Sequence, residues 1–149
     1  NHSVIYFDQP VCVGFSFTEG GLAENGTKIG DDMFSALTQF FTLFPELQNN
    51  QFYLSGESYA GKYLPDINHA ILHKNPESSL KINLKGILIG DGWSDPVNQV
   101  DYGTYVREIG LVSNDMKEQL DNLTSLAQTA VAESHWLEKM NIWAHIFIL

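Results

Sequence analysis

Phe52-Tyr53-Leu54-Ser55-Gly56-Glu57-Ser58-Tyr59-Ala60-Gly61-Lys62-Tyr63 is the stretch that decides the fold. Phe52 to Leu54 are apolar or aromatic and predict a short buried strand. From Tyr59 the spacing changes to a helical one that runs to about His73, with Pro65 near its start or at a kink. Between strand and helix stands Gly56-x-Ser58-x-Ala60, the small-x-Ser-x-small pattern of a nucleophile elbow. The physics requires small residues there. The serine sits on a sharp turn, and side chains two positions before and after it would collide as strand and helix close. Gly56 and Ala60 fill those places, and Gly61 follows. In that geometry Ser58 presents its hydroxyl at the carboxyl end of the sheet. The Tyr59 N–H, at the helix start, faces a developing oxyanion. Gly-x-Ser-x-Ala also arises by chance in Gly-rich turns. The strand immediately before and the helix immediately after favour the catalytic serine.

Working outward, strand-like runs alternate with helical patterns, which is the signature of an α/β fold. Ser3 to Phe7 predicts a strand closed by Asp8-Gln9-Pro10, and Gly14 to Gly30 predicts a long loop. Met33, Phe34, Leu37, Phe40, Phe41 and Phe44 follow the 3.6 period, with Asp31 or Asp32 as cap and Pro45 as stop. Lys81 to Asp91 predicts a buried strand running into the turn Gly90-Asp91-Gly92, which Asp95-Pro96 continues. A third helix is expected near Val100 to Ile109, ended by Gly110. A fourth is marked by Met116, Leu120, Leu123, Ala127, Ala130 and Val131. After about Met140 the pattern dissolves into the apolar run Ile142 to Leu149, too short for a membrane span, which needs about 20 residues.

The composition removes several function classes. With 18 acidic and 8 basic side chains in 149 residues the formal net charge is −10, and a single arginine and seven lysines lay no basic stripe along a phosphate backbone. Nucleic acid is therefore not an expected partner, and anionic membrane surfaces are disfavoured for the same reason. The lone Cys12 cannot form an intrachain bridge. Asn-x-Ser/Thr sequons occur at Asn1, Asn25 and Asn122. Eleven asparagines and 18 Ser plus Thr supply roughly one by chance, so three favour a secretory route.

Beyond the elbow, longer blocks resemble a known family. Gly56-Glu57-Ser58-Tyr59-Ala60-Gly61-Lys62-Tyr63 with Pro65 is similar to the active-serine signature of the serine carboxypeptidases. Tyr6-Phe7-Asp8-Gln9-Pro10-Val11, Gly14-Phe15-Ser16-Phe17-Thr18 and Ile89-Gly90-Asp91-Gly92-Trp93-Ser94-Asp95-Pro96 agree with it, and the last block looks most like the vitellogenic-like members. The resemblance implies a partial α/β-hydrolase fold over residues 1–140, followed by a divergent apolar tail at 141–149. It implies a serine-type carboxypeptidase, needing no cofactor or metal, that acts through an acyl-enzyme on peptides or proteins with a free C-terminus. Ser58 carries over as nucleophile and the Tyr59 amide as one oxyanion donor. Glu57 matches the residue that binds the substrate's terminal carboxylate. Tyr59 and Trp93 match pocket-lining positions, with core packing open as an alternative for both. A glutamic acid donates a hydrogen bond to a carboxylate only while protonated, so Glu57 is expected to be buried with a raised pKa. The compartment implied is the secretory pathway, lysosomal or vacuolar, or the extracellular space.

The departures carry expectations of their own. Cys12 stands where the family usually has glycine, so a side chain is expected at a backbone conformation that favours Gly. The resemblance puts the second oxyanion donor before residue 1 and the triad Asp and His beyond residue 149, so the chain alone is expected to be nearly inactive. Asp91 and Asp95 read as turn residues rather than as a triad acid. His69 and His73 have i, i+4 spacing, yet without Glu after His69 or a third ligand they read as a solvated helix face. His2, His135 and His145 earn no assignment. Two other functions remain open on the sequence: an acyltransferase or esterase on the same scaffold, and a truncated non-catalytic product.

Overall fold

The computed structural model of the chain describes residues 2–148. They fall into two compact units, one ending at Ser94 and the other beginning at Asp95.

In the first unit no helix or strand forms before Gly26 among the described residues. Ser3 to Phe7, expected as a strand, pairs with nothing among the described residues. A strand exists only as part of a ladder, and strand-like residues without a neighbour remain coil. The following turn is tied by Asp8, whose carboxylate accepts the Phe15 N–H at 2.9 Å while its carbonyl accepts the Ser16 hydroxyl at 2.6 Å. Helix α1 spans Gly26–Leu43, so the loop expected to reach Gly30 ends at Asn25, five residues earlier. Its cap is Asn25, whose side-chain oxygen accepts the Lys28 N–H at 2.9 Å. Asp31 and Asp32, expected as caps, lie within the helix and pair with Lys74 and Lys28. Met33, Leu37 and Phe41 are buried on its inner face as the period predicts, and Ile29 and Gly30 extend that face towards the N-terminus.

A 3-10 turn at Pro45–Leu47 follows, then β1 (Phe52–Glu57), α2 (Ala60–Lys74) and β2 (Leu84–Gly90). The strands pair in parallel with Leu54 opposite Ile87 and Glu57 opposite Gly90, and α2 is the crossover between them. The return to β2 is pinned by Asn75 at the end of α2. Its side chain accepts the Ile82 N–H at 2.9 Å and donates to the Ile82 carbonyl at 2.8 Å. Helices α1 and α2 pack closely because Gly30 lets them: a Cβ there would fall 2.6 Å from the Asp66 carbonyl oxygen. The core between α1, α2 and β1 holds Leu37, Phe41, Leu54, Leu64, Ile67, Ile71 and Ile82. The face of the sheet turned from α2 is open, with Tyr53 51% and Leu88 54% exposed.

The second unit is helical: α3 (Pro96–Gln99), α4 (Gly103–Glu108), α5 (Asn114–Ala132) and α6 (Trp136–Ile146). The helix expected near Val100 to Ile109 is α4, which begins three residues late at Gly103, and a separate short turn of helix, α3, precedes it. At Gly103 a Cβ would lie 2.2 Å from the Asp121 carboxylate, so α4 rests directly on α5. Gly110, at φ 79°, follows α4 as expected. Ser113 caps α5, which buries Leu120, Thr124, Ala127 and Ala130, and the Thr124 hydroxyl donates to the Val100 carbonyl at 3.1 Å. The tail corrects an expectation. Its helix continues past Met140 to Ile146, since α6 packs along α5 and Phe147 stacks against Trp143 (4.9 Å) and Tyr102 (5.5 Å). The apolar residues that hide the 3.6 period are therefore partly packing residues. Among the described residues no helix is long and apolar enough to cross a membrane.

Candidate active site

β1 ends at Glu57 and α2 begins at Ala60, leaving two residues for the reversal. So short a junction forces Ser58 into the left-handed region at φ 56°, a conformation that costs a non-glycine residue roughly 1 kcal/mol or more. The neighbours hold it there. Ser58 N–H donates to the Gly90 carbonyl at 3.0 Å, and the Ser58 carbonyl accepts from Trp93 N–H at 2.8 Å and Gly61 N–H at 3.0 Å. Both backbone groups of the serine are thus tied to the end of β2, and one is tied also to the first turn of α2.

The small residues stand where the elbow needs them. A Cβ on Gly56 would come within 2.5 Å of the Ala60 Cβ. A Cβ on Gly61 would lie 2.7 Å from Trp93 N and Ser94 Oγ. The Gly92-Trp93-Ser94 turn therefore rests on the start of α2. The sequence ties that block to the elbow only through resemblance, although Gly61, a glycine at the start of a helical pattern, is a signal of such a close approach.

Ser58 is exposed, and among the described residues its hydroxyl has no hydrogen-bond partner. Tyr59 takes the cap position of α2 in ordinary helical conformation (φ −62°, ψ −12°), and its N–H has no backbone acceptor among the described residues. An amide at a helix start, beside a raised serine hydroxyl, can stabilise negative charge. The Tyr59 ring is half open and stacks edge-on against Tyr63 at 4.9 Å. Tyr63 has its phenol pushed above the usual range, first by burial and then by Tyr59. Trp93 is half-buried.

Glu57 departs from expectation. It is exposed at the tip of β1, among the alternating residues that face away from α2, so the burial expected for it is not furnished by the described residues. Cys12 agrees with expectation, at φ 67° and exposed. Asp91 sits in the turn after β2 at φ 42°, and Asp95 accepts from Asn98 at 2.5 Å in the turn that opens α3. Asn25 and Asn122 are exposed, whereas Asn1 lies outside the described residues.

Among the described residues no acidic or basic side chain is hydrogen-bonded to Ser58. His69 and His73 are exposed late in α2 with their rings 4.1 Å apart, lining a cavity of about 130 Å³ with Thr27, Asp31, Asp66 and Lys74. In the second unit a cavity of about 510 Å³ lies against α6, lined by residues that include His135 and His145 but no serine, threonine or cysteine. His135 sits 3.5 and 3.4 Å from the carboxylates of Glu133 and Glu138, all exposed. Among the described residues no group of three or more His, Cys, Asp or Glu is arranged to hold a metal ion.

Comparison with known proteins places this chain in a family. The sequence pattern of the serine carboxypeptidases matches residues 1–145. The chain belongs to the serine carboxypeptidase family. It is 46% identical to the venom serine carboxypeptidase of Apis mellifera over 144 residues, 95% of this chain and 31% of that protein. It is 45% identical to the vitellogenic carboxypeptidase of Aedes aegypti over 129 residues, 85% of this chain and 27% of that one. Among solved structures it is similar to a prohormone-processing carboxypeptidase of Saccharomyces cerevisiae, with a TM-score of 0.78 and 30% identity, over 93% of this chain and 34% of that one. The serine carboxypeptidase chain is thus part of an α/β-hydrolase fold, and it spans about three tenths of the length of the curated relatives it matches.

Proposed function

We propose that this serine carboxypeptidase segment supplies the nucleophile of a serine-type carboxypeptidase, acting as part of a longer polypeptide. The observation that carries the proposal is Ser58 itself: an exposed serine at φ 56° between a parallel strand and a helix start, held by hydrogen bonds on both of its backbone groups. Strain of this kind persists only where surrounding structure enforces it. The Ser58 Oγ attacks the carbonyl carbon of the last peptide bond, passing its proton to an imidazole base supplied outside residues 2–148. The tetrahedral oxyanion points at the Tyr59 N–H, and a second donor comes from elsewhere in the polypeptide. The C–N bond breaks, the protonated amine of the terminal amino acid leaves, and water hydrolyses the acyl ester on Ser58. Glu57 binds the terminal carboxylate once other surfaces bury it, and Tyr59 and Trp93 line the pocket beside the scissile bond. Gly56, Ala60 and Gly61 serve the elbow geometry.

The location proposed is the secretory pathway, ending in a lysosomal or vacuolar compartment or outside the cell. The names of relatives, a venom enzyme and a prohormone-processing enzyme, support that route. The sequons support it too, with Asn25 and Asn122 exposed as candidate glycosylation sites. The decisive experiment is covalent labelling of the full-length polypeptide by a fluorophosphonate. Ser58 should carry the adduct, and Ser58→Ala should abolish it together with release of C-terminal residues from peptides. Hydrolysis that survives the substitution would refute the assignment.

A further inference from the structure

The Gly92-Trp93-Ser94 turn touches the elbow at two points, and one of them depends on a proline. Pro65 lies inside α2 and has no N–H, so the carbonyl of Gly61, four residues earlier, loses its helical donor. A carbonyl left without a donor in a packed region costs stability unless another group reaches it. Ser94 Oγ lies 3.4 Å from that oxygen and donates to it. The adjacent residue, Trp93, donates its N–H to the carbonyl of Ser58 at 2.8 Å. Gly61 makes the approach possible, since a Cβ there would occupy the space of both contacts. The missing helical bond at Pro65 and the clamp on Ser58 are thus connected through two consecutive residues of one turn.

We propose that Ser94 is a positioning residue for the nucleophile. By taking the carbonyl that Pro65 leaves without a donor, it docks the turn after β2 onto the first turn of α2, and so holds the Trp93 N–H where it keeps Ser58 left-handed. The proposal rests on the reading of Ser58 as nucleophile and adds a residue whose side chain touches neither substrate nor reacting atoms. It explains why a helix with a proline in its interior can follow the elbow without loosening it.

The test is the acylation rate constant of the full-length polypeptide with a fluorophosphonate, and kcat and KM on a peptide acid. A rate constant reports on folded molecules, so it separates misplacement from simple loss of folded protein. Ser94→Ala should slow acylation and kcat by about three- to tenfold, the worth of one hydrogen bond, with KM unchanged. Ser94→Thr should restore both, because it keeps the hydroxyl. Pro65→Ala returns an N–H to Gly61, so in that background Ser94→Ala should cost less than about twofold. An unchanged rate in Ser94→Ala, a rise in KM alone, or an equal loss with and without Pro65 would overturn the proposal while leaving Ser58 as nucleophile. Labelling that persists in Ser58→Ala would instead overturn the reading beneath it.

Discussion

If the elbow is built by close approach, placing a methyl group at its narrowest point should strain it, and removing the opposing methyl should relieve it. Gly56 and Ala60 are that point. The Cβ of an alanine at 56 would sit 2.5 Å from the Cβ of Ala60, whereas carbon atoms in contact prefer about 3.5–4.0 Å. The two segments must therefore separate by about 1 Å, and neither yields freely: β1 is held in register by β2, and Leu64 of α2 is buried in the core. Overpacking of this size costs about 1–3 kcal/mol, so Gly56→Ala should destabilise the folded state by that amount. It should also slow fluorophosphonate acylation of Ser58, by up to about a hundredfold if the hydroxyl moves by the same distance. Ala60→Gly alone should cost at most about 1 kcal/mol, since it adds backbone entropy at the first position of α2. The double substitution removes the clash and should recover most of both losses, giving a coupling energy of about 1–2 kcal/mol. Urea unfolding of the four proteins and the four acylation rate constants measure the cycle. Additive losses, or an unperturbed Gly56→Ala, would refute the steric account of the elbow.

Cys12→Gly should stabilise the fold by about 1 kcal/mol in chemical denaturation, because Cys12 adopts φ 67°, which glycine takes without penalty. Asn25→Ala should remove the cap of α1 and cost about 1 kcal/mol while Asn25→Asp does not, and a mobility shift on glycosidase treatment, lost in both, would mark Asn25 as glycosylated. Leu37→Ala should cost about 2–5 kcal/mol, since Leu37 is fully buried between α1 and α2. Tyr63, whose phenol is held above its usual range by burial and by Tyr59, should be late to ionise in an ultraviolet titration. A raised folded pKa means that its stabilising share is fully present below the unfolded value near 10 and disappears as pH rises through the folded one. Tyr63→Phe should therefore flatten the alkaline limb of stability.

The elements that local chemistry determines were legible in the sequence. The inner face of α1, the strand–elbow–helix unit around Ser58 and the period of α5 each follow from spacing within one segment. The errors fall where a distant partner decides. Ser3 to Phe7 has strand composition but no ladder among the described residues, so it stays coil. Asp31 and Asp32 look like caps, yet Asn25 is the better one because Ile29 and Gly30 already pack inward. The late start of α4, and the continuous helix hidden in an apolar tail, go with packing against α5, which no local period reveals. At the site the same division holds. Small residues at 56, 60 and 61 announce an elbow, but the bond from Ser94 to the Gly61 carbonyl spans 33 positions and emerges only in three dimensions.

Presentation of the serine and activation of the serine are thus separable properties. Everything that bends the backbone at Ser58 lies between Phe52 and Ser94, and the hydrogen bonds to Gly90, Trp93 and Gly61 are made without any other part of an enzyme. What would make the hydroxyl reactive and the pocket selective depends on surfaces left open here. Glu57 is exposed on the same side of the sheet as Tyr53, the side that α2 does not cover, and Leu88 of β2 is open beside them. Parallel sheets are normally covered on both faces, so a second layer over Tyr53 and Leu88 would also enclose Glu57. Under the proposed function, the covering of one sheet face and the recognition of a free C-terminus would be a single structural event. Substitution of Leu88 by a charged residue should therefore weaken binding of peptide acids in the full-length polypeptide, through Glu57, while leaving fluorophosphonate labelling of Ser58 in place. A Leu88→Lys protein that keeps its KM for peptide acids would separate the two and sink the connection.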